Sequence, residues 1–199
     1  MKSKNSLVMT KYLIIGLGNI GEEYANTRHN IGFDVVDALS QKYKVTWQNE
    51  KYSFATAFTL KGKKIILIKP TTYMNLSGKA VHYWLAKENI PIENSLTILD
   101  DIALPLNKLR IRGSGSDAGH NGLKDIAYRL QTIDYPRLRF GIGSNYAKGF
   151  QIQFVLGKWQ TDEIALMQKK IELACTCIEK FVLEGLNASM NGANNVIVE

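Results

Sequence analysis

Residues Tyr12-Leu13-Ile14-Ile15 form an apolar run that stops abruptly at Gly16. A short run with no polar face has to be covered on both sides, which is the condition of a central strand in a sheet flanked by helices. The rest of the pattern is consistent with that requirement. From about Gly32 to Tyr43, Phe33, Val36, Leu39 and Tyr43 recur on one helical face. Strands are expected over Ser53–Leu60 and Lys64–Ile68, joined by a glycine turn at Lys61-Gly62-Lys63, which makes a hairpin. A helix from Ser77 to about Glu88 stops before Pro91, and strands follow at Leu96–Leu99 and near Leu106–Ile111. A Gly/Ser-rich loop at Gly113–Gly119 precedes a helix over Gly122–Leu130, a strand over Leu138–Ile142 and a long helix from about Asp162 to Leu186. Met167, Ile171, Ala174, Ile178 and Phe181 recur there at three- and four-residue intervals and are read as core. Mixed strands and helices in 199 residues, 45% of them hydrophobic, predict one α/β domain over residues 1–199, a twisted mixed β-sheet flanked by helices. Functional loops are then expected at the strand ends.

Gly16-Leu17-Gly18-Asn19-Ile20-Gly21 matches the pattern by which dinucleotide-binding folds bring a helix N-terminus to a pyrophosphate. The surrounding residues do not support that use. Residues 22–30 are polar and irregular where an apolar-periodic helix should begin, and the region that should end a second strand on an acidic residue is the helix carrying Asp34 and Asp37. A nicotinamide-dependent oxidoreductase is therefore disfavoured, and no cofactor is expected.

Thr27-Arg28-His29-Asn30 is a polar cluster in the loop between the first strand and the first helix. Histidine there can titrate near neutral pH and move a proton. A lone loop histidine is usually only solvated, so partners decide its meaning. Asp100, at the end of the apolar strand Leu96–Leu99, is placed to hold an imidazole N–H and fix its tautomer. Asn19, Asn75 and Asn121 each sit in a turn-rich loop, where a side-chain amide can donate to a carbonyl oxygen gaining negative charge, although a turn residue is the ordinary use of such an Asn. No G-x-S-x-G elbow is present. Cys175 and Cys177 lie two apart in the last helix without a second Cys or His cluster, so neither a disulfide nor a metal site is expected. The remaining chemistry is water activated by His29, with neutral amides supporting an oxyanion, which suits an ester better than an unactivated amide.

Lys and Arg outnumber Asp and Glu by 25 to 18, a formal charge of +7, and such a surplus favours a polyanionic partner. Lys108, Arg110 and Arg112 alternate and should project from one face of a strand, and Arg137 and Arg139 repeat the spacing. With Lys124 and the Gly113–Gly119 loop they form a candidate phosphate-binding surface. No stretch approaches the ~20 apolar residues of a membrane span, and the first eight residues carry two lysines without a long apolar run, so no membrane contact and a cytoplasmic location are expected.

Taken in order, these segments resemble the bacterial peptidyl-tRNA hydrolase family from Tyr12 to about Leu186. The residues that carry the resemblance are Gly16-Leu17-Gly18-Asn19 with Gly21 and Tyr24, Thr27-Arg28-His29-Asn30 with Gly32-Phe33, and Pro70-Thr71-Thr72-Tyr73-Met74-Asn75-Leu76-Ser77-Gly78. They continue with Asp100, Gly119-His120-Asn121-Gly122-Leu123-Lys124, Arg137-Leu138-Arg139 with Gly141-Ile142-Gly143, and Val155-Leu156-Gly157. The resemblance implies a monomeric α/β enzyme that needs no metal and cleaves the ester between an N-blocked peptide and the 3′ end of tRNA, recycling tRNA from aborted translation. It implies His29 as general base, Asp100 as its orienting carboxylate, and Asn19 and Asn75 as substrate-positioning and oxyanion-stabilising amides. It places Asn121 at the peptide backbone or the water, with its neighbour His120, and Tyr24, Tyr73 and Met74 along the peptide cleft. Arg112 and Arg139, with Lys108 and Lys124, become the grip on a tRNA phosphate, and residues 106–119 a mobile cover. Departures from the family pattern are Ile20 in place of a usual proline, Leu99 in place of a histidine, Ala103 in place of an aspartate and Ala118 in place of a frequent glycine. Residues 1–8 precede the family's usual start and are read as a dispensable extension. A non-catalytic RNA-binding module on the same fold is the rival reading, and the intact His29, Asp100 and three-asparagine set argues against it.

Overall fold

The computed structural model describes residues 9–199, so the expectation about residues 1–8 lies outside the described residues. Strand β1 (Lys11–Gly16) is central, as its uninterrupted apolar run requires: it pairs in parallel with β4 (Lys63–Pro70) on one side and β5 (Ser95–Asp101) on the other. β5 pairs in parallel with β7 (Arg137–Gly141), and the margins are antiparallel, with β3 (Ser53–Leu60) and β2 (Gln48–Glu50) beyond β4 and β6 (Leu109–Arg112) beyond β7. The seven strands run β2-β3-β4-β1-β5-β7-β6 in one sheet. Lys61 and Gly62 both take positive φ, 44° and 78°, between paired Leu60 and Lys63, which is the two-residue turn that matches strand twist in a hairpin.

Alternate residues of β1 serve opposite cores. Ile14 packs with Val35, Val36 and Leu39 of α1 (Ile31–Lys42) and with Ala174, Ile178 and Phe181 of α5 (Ile164–Glu184), whereas Leu13 and Ile15 pack towards Val81 and Trp84 of α2 (Ser77–Glu88) and Leu123 and Ile126 of α3 (Asn121–Leu130). The result is the expected mixed sheet between two helical layers. Met167 is 3% exposed and packs in the first core, with Ile171 against it. Cys175 and Cys177 are buried free thiols.

Gly16 and Gly32 explain the first glycine of the misleading motif. A Cβ on Gly16 would lie 2.2 Å from the Gly32 carbonyl oxygen, and one on Gly32 would lie 2.4 Å from the backbone of Leu17. The end of β1 and the start of α1 touch backbone to backbone, which only glycine allows. The helix begins at Ile31, fifteen residues after Gly16, rather than directly at the glycines as the dinucleotide pattern requires. The elements left unassigned in the sequence are short or late: β2, α4 (Gln151–Val155) and α6 (Leu186–Asn194), which continues beyond Gly185.

The two basic ridges are corrected to one. Arg137 and Arg139 share a sheet face with Arg112 and Arg110, their cross-strand partners. Yet they are 1% and 9% exposed, because the loop after β6 folds over them. Arg137 donates to the carbonyls of Gly115 at 2.7 Å and Ile133 at 2.6 Å, and Arg139 donates to the Ser116 carbonyl and pairs with Asp101 at 3.1 Å. Arg110 and Arg112, on the edge, stay exposed. The strand half of the expected cover is itself part of the sheet, and the side-chain amide of Asn194 pairs with its outer edge, accepting from Ile111 N at 2.7 Å.

Lys170 is fully buried below this region, donating to the carbonyls of Leu106 and Gly141 beneath the Phe140 ring. Replacing it with alanine leaves a cavity and removes a donor shared by two carbonyls. Lys170→Ala is expected to lower unfolding free energy by about 2–5 kcal/mol at an unchanged m-value in urea titration; a loss under 1 kcal/mol would show that water replaces the ammonium without cost.

Candidate active site

The strand order reverses around β1, since β4 is laid on one side of it and β5 on the other. Loops that leave the carboxyl ends of neighbouring strands diverge at such a point and open a crevice. The loop after β1 brings Asn19, Tyr24 and His29, that after β4 brings Tyr73, Met74 and Asn75, β5 carries Asp100 one residue before its end, and the segment entering α3 brings His120 and Asn121. All nine line one cleft of about 560 Å³. Arg139 also reaches its wall, whereas Lys108, Arg112 and Lys124 are not part of its lining.

Two of the chain's three histidines meet on one buried carboxylate. His29 Nδ1 lies 2.8 Å from Asp100 Oδ1, and His120 Nε2 lies 3.3 Å from the same oxygen. Their tautomers follow from the neighbouring groups. His120 caps α3, and its Nδ1 accepts the backbone N–H groups of Gly122 at 3.1 Å and Leu123 at 3.4 Å, so the ring's proton is on Nε2, directed at Asp100. His29 likewise donates its Nδ1 proton to Asp100, which leaves Nε2 bare. That is the arrangement a proton-abstracting imidazole requires.

The charges reinforce this. Burial, the strongest influence on Asp100, opposes its ionisation, but the positive charge His29 can carry and the hydrogen bonds from both rings outweigh it and hold the carboxyl well below the usual range. Burial likewise opposes protonation of His29, but the Asp100 charge and hydrogen bond prevail, and its pKa rises above 6.5. Asp100 therefore stays ionised wherever His29 titrates.

His29, Asp100 and His120 offer ligand atoms within 4.8 Å of one another, as a metal site would. A neutral imidazole that ligates through Nε2 must carry its proton on Nδ1, and in His120 that atom faces two N–H donors. The donor set does not fit a cation.

Asn30 holds Asn19 in place. Its Oδ1 accepts the Asn19 N–H at 2.8 Å, and its Nδ2 donates to the Asn19 carbonyl at 2.9 Å. Among the described residues the Asn19 side chain makes no intramolecular hydrogen bond, and neither do those of Asn75 and Asn121. Three unengaged amides thus line the cleft that holds the bare imidazole nitrogen. Met74, Ile102, Ile152, Val155 and Leu156 add apolar lining to the same cleft, and its Tyr73 is 78% exposed. Asp101 faces the other way in function: one oxygen accepts from Ala103 N at 2.8 Å and the other holds Arg139. The departures are absorbed locally. Leu99 is a core residue, Ile20 is exposed, and Ala118 adopts φ 51°, a left-handed conformation that explains why glycine suits that position.

Sequence reasoning missed Ile102, Gln151 and Ile152 in this wall. The alternation of Phe150, Ile152 and Phe154 imitates a strand, and the exposure of Phe150 and Ile152, 56% and 69%, is a structural signal with no counterpart in the sequence.

Comparison with known proteins places the chain in a family. The family model described as Peptidyl-tRNA hydrolase matches residues 13–198. The chain belongs to the peptidyl-tRNA hydrolase family. The peptidyl-tRNA hydrolase of Phocaeicola vulgatus is 54% identical over 184 residues, which cover 92% of this chain and 98% of the relative, and that of Cytophaga hutchinsonii is 48% identical over 184 residues, with the same coverage. The crystal structure of peptidyl-tRNA hydrolase from Acinetobacter baumannii superposes with a TM-score of 0.88 at 34% identity, covering 95% of this chain and 97% of that one. Like that family, the chain is a hydrolase with a single α/β domain. No helix among the described residues is long and apolar enough to cross a membrane.

A base that works through a bare Nε2 is active in its neutral form, so a rate that depends on His29 is expected to rise with pH and to level off above an apparent pKa higher than 6.5. Asp100→Asn should move that acid limb to lower pH, since burial then acts unopposed, and should lower the plateau by about 10²-fold or more as the tautomer is released. A pH–rate profile of the variant that overlies wild type would separate Asp100 from the base.

Proposed function

We propose that His29, oriented by Asp100, is the general base with which this chain carries out its family's reaction, hydrolysis of the ester joining an N-blocked peptide to the 3′ end of tRNA. The observation that carries the assignment is the bare Nε2 of His29 in a cleft lined by three unengaged asparagine amides. A water hydrogen-bonded to Nε2 gives up a proton as it attacks the ester carbonyl. The carbonyl oxygen gains negative charge, and the Asn19 and Asn75 amides are the donors placed to stabilise it. The imidazolium that forms rests against the Asp100 carboxylate and returns its proton to the departing ribose oxygen. Asn121 positions the water or the peptide backbone. His120 fixes Asp100 from the other side, so its part is to orient the carboxylate rather than to touch the ester. Met74, Tyr24 and Tyr73 contact the peptide. No step calls for a metal or a cofactor, and the tautomer of His120 supports that.

For the tRNA body, Arg112 with Arg110 on the exposed face of β6, and Lys124 on the exposed side of α3, are the cations open to solvent beside the cleft, with half-buried Lys108 at the start of the strand. Arg139 is a weaker candidate than its spacing implied, because Asp101 and the Ser116 carbonyl already occupy its guanidinium. The form we infer to act in the cell is a cytoplasmic monomer, where its substrate arises.

Release of tRNA from N-acetyl-aminoacyl-tRNA in the presence of EDTA tests the assignment. His29→Ala is expected to fold and to lose about 10²-fold or more in turnover, while unblocked aminoacyl-tRNA remains a poor substrate for wild type. Wild-type turnover in the mutant would remove His29 from the mechanism. Folded wild type that binds tRNA without cleaving it would favour the RNA-binding reading.

Arg112→Ala is expected to weaken tRNA binding and to reduce the slope of log affinity against log salt by about one, the signature of one lost phosphate contact. An unchanged slope would place the phosphates elsewhere.

A further inference from the structure

The residue beside the proposed base is buried more deeply than the base. Arg28 is 4% exposed although it carries a permanent charge, and its partners all lie in one distant segment, residues 154–163. Nη2 pairs with the Glu163 carboxylate at 2.7 Å, Nη1 donates to the Lys158 carbonyl at 2.8 Å, and the guanidinium lies 4.4 Å from the centre of the Phe154 ring and 5.1 Å from that of Trp159. The backbone joins in: Arg28 N–H donates to the Gly157 carbonyl at 3.0 Å, and Thr27 bridges to Lys158 in antiparallel fashion. The packing is close at Gly157, where a Cβ would come 3.0 Å from the Gln153 carbonyl oxygen and 3.3 Å from Arg28 Nη1.

What Arg28 holds is α4, which has five residues and is too short to be stable without tertiary contacts. Phe154 faces Arg28, while Ile152, Val155 and Leu156 face the cleft. His29, by contrast, is oriented by Asp100 from β5, and among the described residues the Arg28 side chain makes no hydrogen bond or ion pair with either of them. The two neighbours in one turn therefore divide their work.

We propose that Arg28 is a positioning residue that seats α4 as the apolar wall for the peptide part of the substrate, setting peptide affinity without taking part in proton transfer. The inference rests on the assignment of the cleft to peptidyl-tRNA. Loss of the clamp removes binding that is equal in ground and transition states, so it acts on KM and leaves kcat alone. Lysine in place of Arg28 keeps the charge but loses the planar fork that reaches the two acceptors from separate nitrogens, and it forfeits the flat stack on the rings.

The experiment is steady-state hydrolysis of N-acetyl-aminoacyl-tRNA and of a tripeptidyl-tRNA with apolar side chains by wild type, Arg28→Lys and Glu163→Gln. Both variants are expected to raise KM for the tripeptidyl substrate by about tenfold, equivalent to about 1.4 kcal/mol, and for the acetylated one by less. Both should keep kcat and the apparent pKa of the acid limb. Glu163→Gln weakens the clamp from its half-exposed end and decides the matter if Arg28→Lys does not fold. Unchanged KM values in an active protein overturn the inference alone, as does a fall in kcat with a displaced acid limb, which would place Arg28 in support of His29. Inactivity of wild type on both substrates would instead overturn the activity assignment and this inference with it.

Discussion

A single carboxylate oxygen at the end of β5 carries the site. Asp100 Oδ1 accepts from His29 and from His120, and the two rings come from the segments that lead into α1 and α3. Its burial would normally favour the neutral acid, yet two N–H donors keep it charged, and the charge in turn sets which nitrogen of His29 is bare. The arrangement is directional because α3 fixes His120 through its own unsatisfied N-terminal amides. Backbone geometry at a helix start thus bears, through two side chains, on the tautomer of the imidazole that lines the cleft.

Most of the fold was legible because burial demands a pattern. An apolar run at β1, a two-residue glycine turn after β3 and helical periodicity in α1 and α5 are each the direct consequence of what those residues must cover. The site was legible for a similar reason: His29, Asp100 and the asparagines stand at strand ends, where a doubly covered sheet leaves its loops free. What escaped was tertiary. Alternation placed Arg137 and Arg139 on the same sheet face as Arg110 and Arg112, correctly, but no local pattern says that the loop after β6 returns to lay its carbonyls on the first pair. α4 escaped because its five residues are too few to show a helical period, and its contacts with Arg28, Tyr146 and the core through Phe154 are tertiary.

The basic surplus consequently has two uses. Arg28, Arg137, Arg139 and Lys170 are buried, and each joins segments far apart in sequence through carbonyls, a carboxylate or a ring. Arg28 and Arg139 have carboxylate partners, so removing either side would strand a buried charge. Arg137 and Lys170 rest on carbonyls and aromatic faces instead, with the Tyr135 ring 3.9 Å from the Arg137 guanidinium. Net charge alone therefore overstates the surface available to a polyanion. The arginines of β6 and Lys124 are among the cations that stay exposed.

These interior clamps also bear on the loop that carries the departure at Ala118. A non-glycine residue in the left-handed region costs about 1–2 kcal/mol, and Ala118 pays it at φ 51° immediately before Gly119 at φ 83°. The loop keeps that conformation because both of its ends are tied. Arg137 and Arg139 hold the carbonyls of Gly115 and Ser116, and Asp117 accepts the Gly119 N–H through its side chain while its carbonyl accepts from His120 N. Strain at one residue is tolerated where neighbouring hydrogen bonds determine the path. The same bonds deliver His120 to Asp100, so the loop over β7 is less a lid laid on the site than the segment that sets its second histidine.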